Sequence, residues 1–220
     1  MRSRFVHRAA LASLALAAGC ADSSSGPATR LQYVDPAGSG WRLVRDPAST
    51  PERLVLAIVG PAGLNTRGVG FNLRAPAGVR FRKFESSGWP IETTGVYELG
   101  NLDPCPPGDP YPPPNCVDPF PAEPVLLAGG VKPGNLLTVG IFQKDRRVSP
   151  KPSGVPLARI ALDVDPASGL RAGAILPLEV LKAKYSPEDI GAFSPTPTQE
   201  QADKGHGVLF TLAVGTLSAR

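Results

Sequence analysis

The sequence predicts an all-β protein, a single jelly-roll-like β-sandwich of about nine to eleven short strands. The 220 residues include 26 prolines and 24 glycines, hydrophobic residues make up 42% of the chain, and charged residues make up only 19%. Apolar and polar residues alternate in many short runs, and Gly, Pro or Asp separates each run from the next. Because a chain of this length is short for two full domains, we expect one domain.

Eleven runs are predicted to be strands. In chain order they cover residues 31–34, 41–45, 54–59, 68–74, 79–84, 96–99, 125–127, 136–143, 157–164, 175–183 and 208–217. Each run has the length of a typical strand and is bounded by residues that favour turns. The regular succession of short strands is typical of a sandwich or a barrel.

Within these runs the alternation has a period of two, which sends one row of side chains into the core. The clearest rows are Val69/Phe71/Leu73, Leu137/Val139/Ile141, Ala158/Ile160/Leu162/Val164 and Val208/Phe210/Leu212/Val214. The intervening Asn72, Arg74, Arg159 and Asp163 are expected to face solvent. The sole helical signal is one turn at 186–190, where Ser precedes Pro as in an N-cap followed by the first helical position.

The first nineteen residues carry the pattern of an export signal. Arg2, Arg4 and Arg8 precede an apolar run over residues 9–18, and the segment holds no acidic residue. That run is too short to cross a bilayer as a finished helix, which needs about 20 apolar residues. We therefore expect residues 1–19 to be removed as a signal peptide.

The signal ends in Leu16-Ala17-Ala18-Gly19-Cys20, which resembles the lipobox of bacterial lipoproteins. The resemblance implies cleavage before Cys20 and a diacylglycerol on its thiol, hence a membrane anchor. The alternative is an ordinary secretory signal that contains a Cys. Ala21, where a retained lipoprotein has Asp, implies the outer membrane of a bacterial cell envelope. Residues 20–28 are then a flexible tether, and residues 29–220 form the sandwich domain.

Removing the signal changes the charge of the protein. The full chain has 23 basic and 19 acidic residues, and without the three arginines of the signal 20 basic residues remain, a net charge near +1. We therefore expect no nucleic-acid partner, since such partners require a basic footprint. Two local basic clusters are interpreted as solvated strand faces and turns: Arg80, Arg82 and Lys83, and Lys144, Arg146 and Arg147.

With Cys20 assigned to lipid, Cys105 and Cys116 remain as an even pair. Residues 104–124 hold ten prolines in 21 positions, so this stretch is unsuited to a helix or a β-ladder. In an oxidising compartment a disulfide would stabilise the fold by roughly 2 to 3 kcal/mol. Zinc is the alternative, but the mature chain has too few further ligands for it. Residues 101–124 are thus predicted to be a disulfide-stapled insertion loop, with polyproline recognition by a partner as the functional alternative.

The order of segments resembles that of cohesin-like modules and related carbohydrate-binding sandwiches. The resemblance rests on Gly68-Val69-Gly70-Phe71-Asn72-Leu73-Arg74, then Val79-Arg80-Phe81, and later on the runs 136–142, 156–164 and 176–180. It covers roughly residues 50–217 and consists of hydrophobic rhythm and Gly placement, without a diagnostic functional motif. It implies a nine-stranded jelly-roll sandwich that binds a partner module or, in relatives, a polysaccharide.

Catalytic motifs are scarce. The mature chain has a single histidine, His206, in a Gly-rich loop, and it lacks a Gly-x-Ser-x-Gly elbow, a phosphate-binding loop and a dinucleotide fingerprint. A glycan-acting hydrolase with paired carboxylates remains an alternative, through Glu85, Glu92, Glu98 and Glu179. The all-β pattern and the scarcity of histidine favour instead a non-catalytic binding or adhesion module for a protein partner or a polysaccharide.

Two loop aromatics are candidate ligand contacts. Trp89 lies in a Ser-Ser-Gly-Trp-Pro loop, and Tyr111 lies at the tip of the predicted stapled loop. Each can stack on a sugar ring or contact a protein, and the alternative is a loop anchor packed over one end of the sandwich.

A calcium site formed by Asp163 and Asp165 is less favoured than a hairpin turn, because the spacing of the oxygen-bearing residues is not that of a calcium loop. We expect no metal and no cofactor.

Overall fold

The computed structural model describes residues 26–94, 103–104, 116–117, 125–143, 149–187 and 207–220. These residues form sixteen strands, more than the nine to eleven predicted, and eleven of the sixteen have three or more residues. The strands are β1 (Leu31–Val34), β2 (Arg42–Arg45), β3 (Leu54–Val59), β4 (Asn65–Arg74), β5 (Val79–Arg82), β6 (Ile91–Thr93), β7 (Asp103–Pro104), β8 (Cys116–Val117), β9 (Val125–Lys132), β10 (Leu136–Gln143), β11 (Lys151–Pro152), β12 (Ala158–Val164), β13 (Ile175–Leu176), β14 (Glu179–Pro187), β15 (Val208–Leu209) and β16 (Thr216–Ala219).

Two antiparallel sheets form the sandwich. Sheet 1 has the order β15-β14-β4-β10-β9, with β11 pairing with β4, and sheet 2 has the order β2-β3-β12-β5, with β6 pairing with β12. A small third sheet, β1-β16-β13, lies beside them, and β7 pairs with β8 in parallel. The prediction of an all-β sandwich is confirmed.

The hydrophobic core lies between sheets 1 and 2. The predicted row Val69, Phe71 and Leu73 on β4 is at most 3% exposed, and Leu56 and Ile58 of β3 lie in the same buried cluster. The predicted rows on β10 and β12 also belong to this cluster, except that Val164 is only partly buried against it. Period-two alternation therefore identified the inward faces, because successive side chains of a strand point to opposite sides of its sheet.

Two of the predicted strands are each split in the structure. The run 175–183 divides into β13 and β14, and Pro177, which has no N–H to donate to a ladder, lies in the break. The run 208–217 divides into β15 and β16, and Val208, expected in the core, is 39% exposed at the sheet edge. The predicted strand 96–99 lies outside the described residues.

The predicted helical turn at 186–190 is wrong where the structure describes it. Ser186 and Pro187 end β14, where they pair with Gly68 and Thr66 of β4. The Thr66 hydroxyl donates a hydrogen bond to the Ser186 carbonyl at 2.8 Å. Sheet pairing thus overrides the local Ser-Pro signal, and residues 188–190 lie outside the described part.

Asp163 was expected to face solvent, and it is instead 8% exposed. It lies on the outer face of sheet 2, where its carboxylate accepts hydrogen bonds from Arg80 Nε at 2.6 Å and Nη2 at 3.1 Å. Arg82 adds an ion pair at 3.3 Å. The hydrogen bond to Asp163 raises the pKa of Arg80. The first basic cluster therefore covers an acid, and the second, at residues 144–147, lies outside the described residues.

Candidate functional site on the outer face of sheet 1

Two glycines lie side by side on the outer face of sheet 1. Gly70 of β4 pairs directly with Gly140 of β10, and Lys184 of β14 pairs with Gly70 on its other side. The alternation that buries Phe71 turns its neighbour Gly70 outward. The two glycines leave backbone as the floor of a shallow groove of about 240 Å³.

The walls of this groove are the outward side chains of the neighbouring rows. On one side the Phe142 ring lies against β4, so close that a methyl group added at Gly70 would approach a ring carbon to 3.2 Å. On the other side Asn72 pairs with Thr138. Both walls belong to antiparallel strands of one sheet, which holds them at fixed spacing.

The rim of the groove is both basic and apolar. Lys182 and Lys184 line it from β14. A register shift between Val180 and Lys182 displaces the intervening Leu181, which is 44% exposed, and Leu209 on β15 is 67% exposed beside Lys184. Within the described residues the Lys182 ammonium has no carboxylate partner. This face thus offers unpaired charge next to exposed hydrocarbon.

The outer face of sheet 2 differs, because its own side chains cover it. Val55, Phe84 and Ala161 form a buried cluster there, and the Arg53 guanidinium lies 4.3 Å from the centre of the Phe84 ring. Its acids are also paired: Asp46, only 2% exposed, accepts a hydrogen bond from Arg159 Nε at 2.8 Å. Arg159, expected to face solvent, is half-buried in this contact.

The structure places Trp89 away from the groove, on the loop between β5 and β6. Its side chain is 47% exposed, and a methyl group added at Gly129 would lie 3.8 Å from the ring. The loop is tightly bonded: the Phe84 N–H donates to the Trp89 carbonyl at 2.8 Å, and the Ser87 hydroxyl donates to the Ile91 carbonyl at 2.8 Å. Trp89 is therefore half-exposed on an ordered support.

The other predicted site residues lie wholly or partly outside the described part. Cys20, Cys105 and Tyr111 are outside it. Cys116 is described by its backbone in β8, where it pairs with Asp103. The lipid anchor, the disulfide and the contact through Tyr111 stay predictions.

Two of the four candidate carboxylates for hydrolysis, Glu92 and Glu179, do not converge, and Glu98 lies outside the described residues. Glu92 of β6 faces outward on sheet 2, where the Ser86 hydroxyl donates to it and Arg159 lies 3.8 Å away. Glu179 of β14 faces outward on sheet 1 and forms an ion pair with Arg74 at 2.7 Å. These two acids thus lie on opposite outer faces of the sandwich.

Asp165 forms the hairpin turn that the sequence favoured. Its carboxylate accepts the Ala167 N–H at 3.1 Å, and its carbonyl accepts the Ser168 N–H at 3.0 Å. The described residues contain no group of three or more His, Cys, Asp or Glu side chains arranged to hold a metal ion. In the same residues no helix is long and apolar enough to cross a membrane.

The groove was missed in the sequence, although one signal for it exists. Glycines at alternate positions 68 and 70 of a buried strand give that strand an outer face without side chains. The alignment of Gly70 with Gly140 follows from the register of β4 against β10, across about 70 residues of chain, which the sequence does not state.

No protein-family model matches the chain, and no curated protein matches it. Solved structures that resemble it include the seventh ScaB type I cohesin from Pseudobacteroides cellulosolvens, at 13% identity and a TM-score of 0.39 over 68% of this chain and 79% of that chain. A type I cohesin–dockerin complex from Clostridium thermocellum matches at 11% identity and 0.40, over 71% and 87% of the two chains. A type II cohesin domain from the cellulosome of Acetivibrio cellulolyticus matches at 11% and 0.40, over 83% and 95%. All three are cohesin modules. Because their TM-scores are only 0.39 to 0.40, the description of the fold depends on the strand pairing observed in this chain.

Proposed function

We propose that this protein is a non-catalytic, lipid-anchored binding module of the bacterial cell envelope, and that a protein partner docks on the outer face of sheet 1. The observation that carries the proposal is the glycine-floored groove between Phe142 and the Asn72–Thr138 pair, with its basic and apolar rim. The covered outer face of sheet 2 supplies the contrast, since its hydrophobic and acidic groups already have partners.

The groove suits a protein partner in two respects. A floor of backbone admits a partner side chain into close contact with the sheet, and Phe142, Leu181 and Leu209 supply apolar surface around it. Lys182 supplies a positive charge that an acidic residue of the partner would complement. A neutral polysaccharide would leave that charge unmatched and would find a single aromatic ring in the groove.

The anchor belongs to the same proposal. Acylation of Cys20 would attach the domain to the outer membrane through the first part of the predicted tether at residues 20–28. The end of that segment belongs to the fold, since Ala28 is 8% exposed and its N–H donates to the Leu170 carbonyl at 2.7 Å. A module held at a membrane meets partners in the same envelope at a raised effective concentration, which suits an adhesive role at modest affinity.

The test compares groove variants with a matched control for binding. Lys182→Glu and Phe142→Ala remove the charge and the apolar wall, and Lys83→Glu makes the same charge reversal at an exposed position near sheet 2. The partner is isolated from host envelope extract by cross-linking, purified, and titrated against each variant. We expect both groove variants to bind at least tenfold more weakly, and Lys83→Glu to bind as the wild type does. Equal affinities for all variants with unchanged melting temperatures would overturn the assignment of the groove.

A second candidate is a polysaccharide site at Trp89, which its half-exposed ring on a hydrogen-bonded loop favours. The predicted partner in that site is Tyr111. If a glycan binds there, Trp89→Ala and Tyr111→Ala should each weaken it by about 1 kcal/mol or more, at little change in melting temperature. A collapse of stability in the Trp89 variant, or unchanged glycan affinity in both, would leave Trp89 as a loop anchor.

A further inference from the structure

A second pocket, separate from the groove, lies where the small third sheet meets sheet 2. It has a volume of about 540 Å³, and three arginines line it: Arg30, Arg45 and Arg220. All three residues are exposed, and the remaining lining is mainly polar. The pocket is therefore a concave surface with a concentration of positive charge.

Two of these arginines are held opposite one another by the backbone. The Arg30 N–H donates to the Arg220 carbonyl at 3.0 Å, and the Arg220 N–H donates to the Arg30 carbonyl at 2.8 Å. Residues that exchange both bonds in an antiparallel pair send their side chains to the same face, with Cα atoms about 5.5 Å apart. Like charges placed directly opposite in this way destabilise a sheet.

The side chains of these arginines lack an acidic side-chain partner in the described part of the chain. No Asp or Glu carboxylate there forms an ion pair with Arg30, Arg45 or Arg220. The Arg220 Nε donates to a neutral acceptor, the Gln32 side chain, at 2.5 Å. The Asp35 carboxylate accepts the Arg45 backbone N–H at 2.6 Å and forms no ion pair with the Arg45 guanidinium.

We propose that this pocket binds a phosphate-type oxyanion through Arg30, Arg45 and Arg220. Guanidinium groups match the oxygens of phosphate in a bidentate fashion, and an oxyanion between them turns a repulsive cluster into an attractive one. Thr50, which also lines the pocket, is a neighbouring residue that can donate a hydroxyl hydrogen bond to the same anion.

The bound oxyanion could belong to either of two kinds of molecule, a free phosphate compound or a phospholipid headgroup, and the experiment must distinguish them. Gly26, whose carbonyl accepts the Ala172 N–H, follows Cys20 by six residues, a length of chain that extends to about 20 Å at most. If Cys20 is acylated, the pocket is thus tethered within reach of the headgroups of the membrane that holds the anchor. This inference uses none of the residues of the groove on sheet 1, so each proposal can fail without the other.

The first arm of the test uses inorganic phosphate. Calorimetric titration and thermal melting compare phosphate with chloride at equal ionic strength for the wild type, Arg30→Gln, Arg45→Gln and the surface control Lys132→Gln. We expect saturable binding by the wild type and the control, and binding at least fivefold weaker in both arginine variants. In chloride Arg30→Gln should melt no lower than the wild type, because it removes the repulsion between Arg30 and Arg220. Phosphate should raise the melting temperature of this variant less than that of the wild type.

The second arm uses vesicles and a Cys20→Ala background without the lipid. The protein is sedimented with vesicles of 30% phosphatidylglycerol in phosphatidylcholine. Co-sedimentation of the protein that phosphate abolishes, and that Arg30→Gln lacks, would identify the headgroup as the source. Phosphate binding without vesicle binding would identify a free phosphate compound. Absence of saturable binding in both arms, or equal binding by the arginine variants and the wild type, would overturn the proposal.

Discussion

At the scale of single residues, buried polar groups decide how the outer face of sheet 2 is held. Asp46 accepts the Ala48 N–H at 2.9 Å and Arg159 Nε at 2.8 Å, and its side chain is 1% exposed. Asp46 stabilises the fold by accepting these two hydrogen bonds. Without its carboxylate, the two donors would be left unpaired in a region where water cannot replace the lost partner, which costs free energy.

Asp46→Ala is therefore expected to lower the free energy of unfolding by about 2 to 3 kcal/mol. The matched control is Glu179→Ala, which removes an ion pair with Arg74 whose side chains are 54% and 45% exposed, and should cost about 0.5 kcal/mol or less. Urea unfolding of both variants measures the difference. Equal losses would show that burial of Asp46 does not set its contribution.

Tyr33 provides a pH-dependent contribution to stability. Burial raises its pKa from 10.0 to about 12, its hydroxyl donates to the Leu43 carbonyl at 3.0 Å, and the Gly215 N–H donates to it at 2.6 Å. Since the folded pKa is raised, this contribution is complete below pH 10 and is lost as the pH rises towards 12. Tyr33→Phe should abolish that part of the pH dependence.

The measurement is an ultraviolet titration of tyrosine ionisation together with unfolding at each pH. We expect a late-titrating tyrosine in the wild type that is lost in Tyr33→Phe. A variant that keeps both the late titration and the alkaline loss of stability would assign them to another group.

Residue-scale inference from the sequence succeeded for most apolar positions, with Val208 as an exception, and for the exposed Arg74. It failed for the buried Asp163. The inward row Val69, Phe71 and Leu73 follows from alternation alone, because burial of apolar area is roughly independent of the partner. Burial of Asp163 depends on Arg80 and Arg82, which the register of β12 against β5 places beside it. Whether a polar side chain is buried therefore depends on a charged or polar partner that is distant in the sequence.

At the scale of elements, the sequence predicted where strands occur, but it did not predict where a strand is interrupted or extended. The bounds of β1, β3 and β10 were predicted to the residue, since turn residues and alternation agree there. The split into β13 and β14 and the extension of β14 through Ser186 and Pro187 depend on pairing with β4 and β16. Local propensity is overridden wherever a neighbouring strand fixes the backbone.

The disulfide between Cys105 and Cys116 remains a prediction at this scale. Strands β7 and β8 bring Pro104 opposite Val117, one residue beyond Cys116. We expect a double Cys→Ser variant to lose roughly 2 to 3 kcal/mol and to keep its sheet spectrum, because the closed loop lies outside the alternating core. Alkylation of the purified native protein without reductant should label neither thiol, and labelling of both would refute the pairing.

At the scale of the whole molecule, the predicted lipid anchor at Cys20 would determine where the sandwich works. Mass spectrometry of the membrane fraction should find an N-terminal peptide that begins at acylated Cys20, and Cys20→Ala should release the protein from that fraction or leave it uncleaved. Wild-type protein recovered without lipid from the soluble periplasmic fraction would contradict the anchor and, with it, the proposed outer-membrane location.

The two outer faces of the sandwich give the central claim its most direct test. A photo-cross-linking amino acid is placed at Thr138, on the wall of the groove, and separately at Lys83, near sheet 2, in cells that express the protein. We predict one discrete protein adduct from position 138 that disappears when Lys182→Glu is added, and no such adduct from position 83. An adduct from position 83 alone, or one from position 138 that survives Lys182→Glu, would contradict partner docking on the outer face of sheet 1.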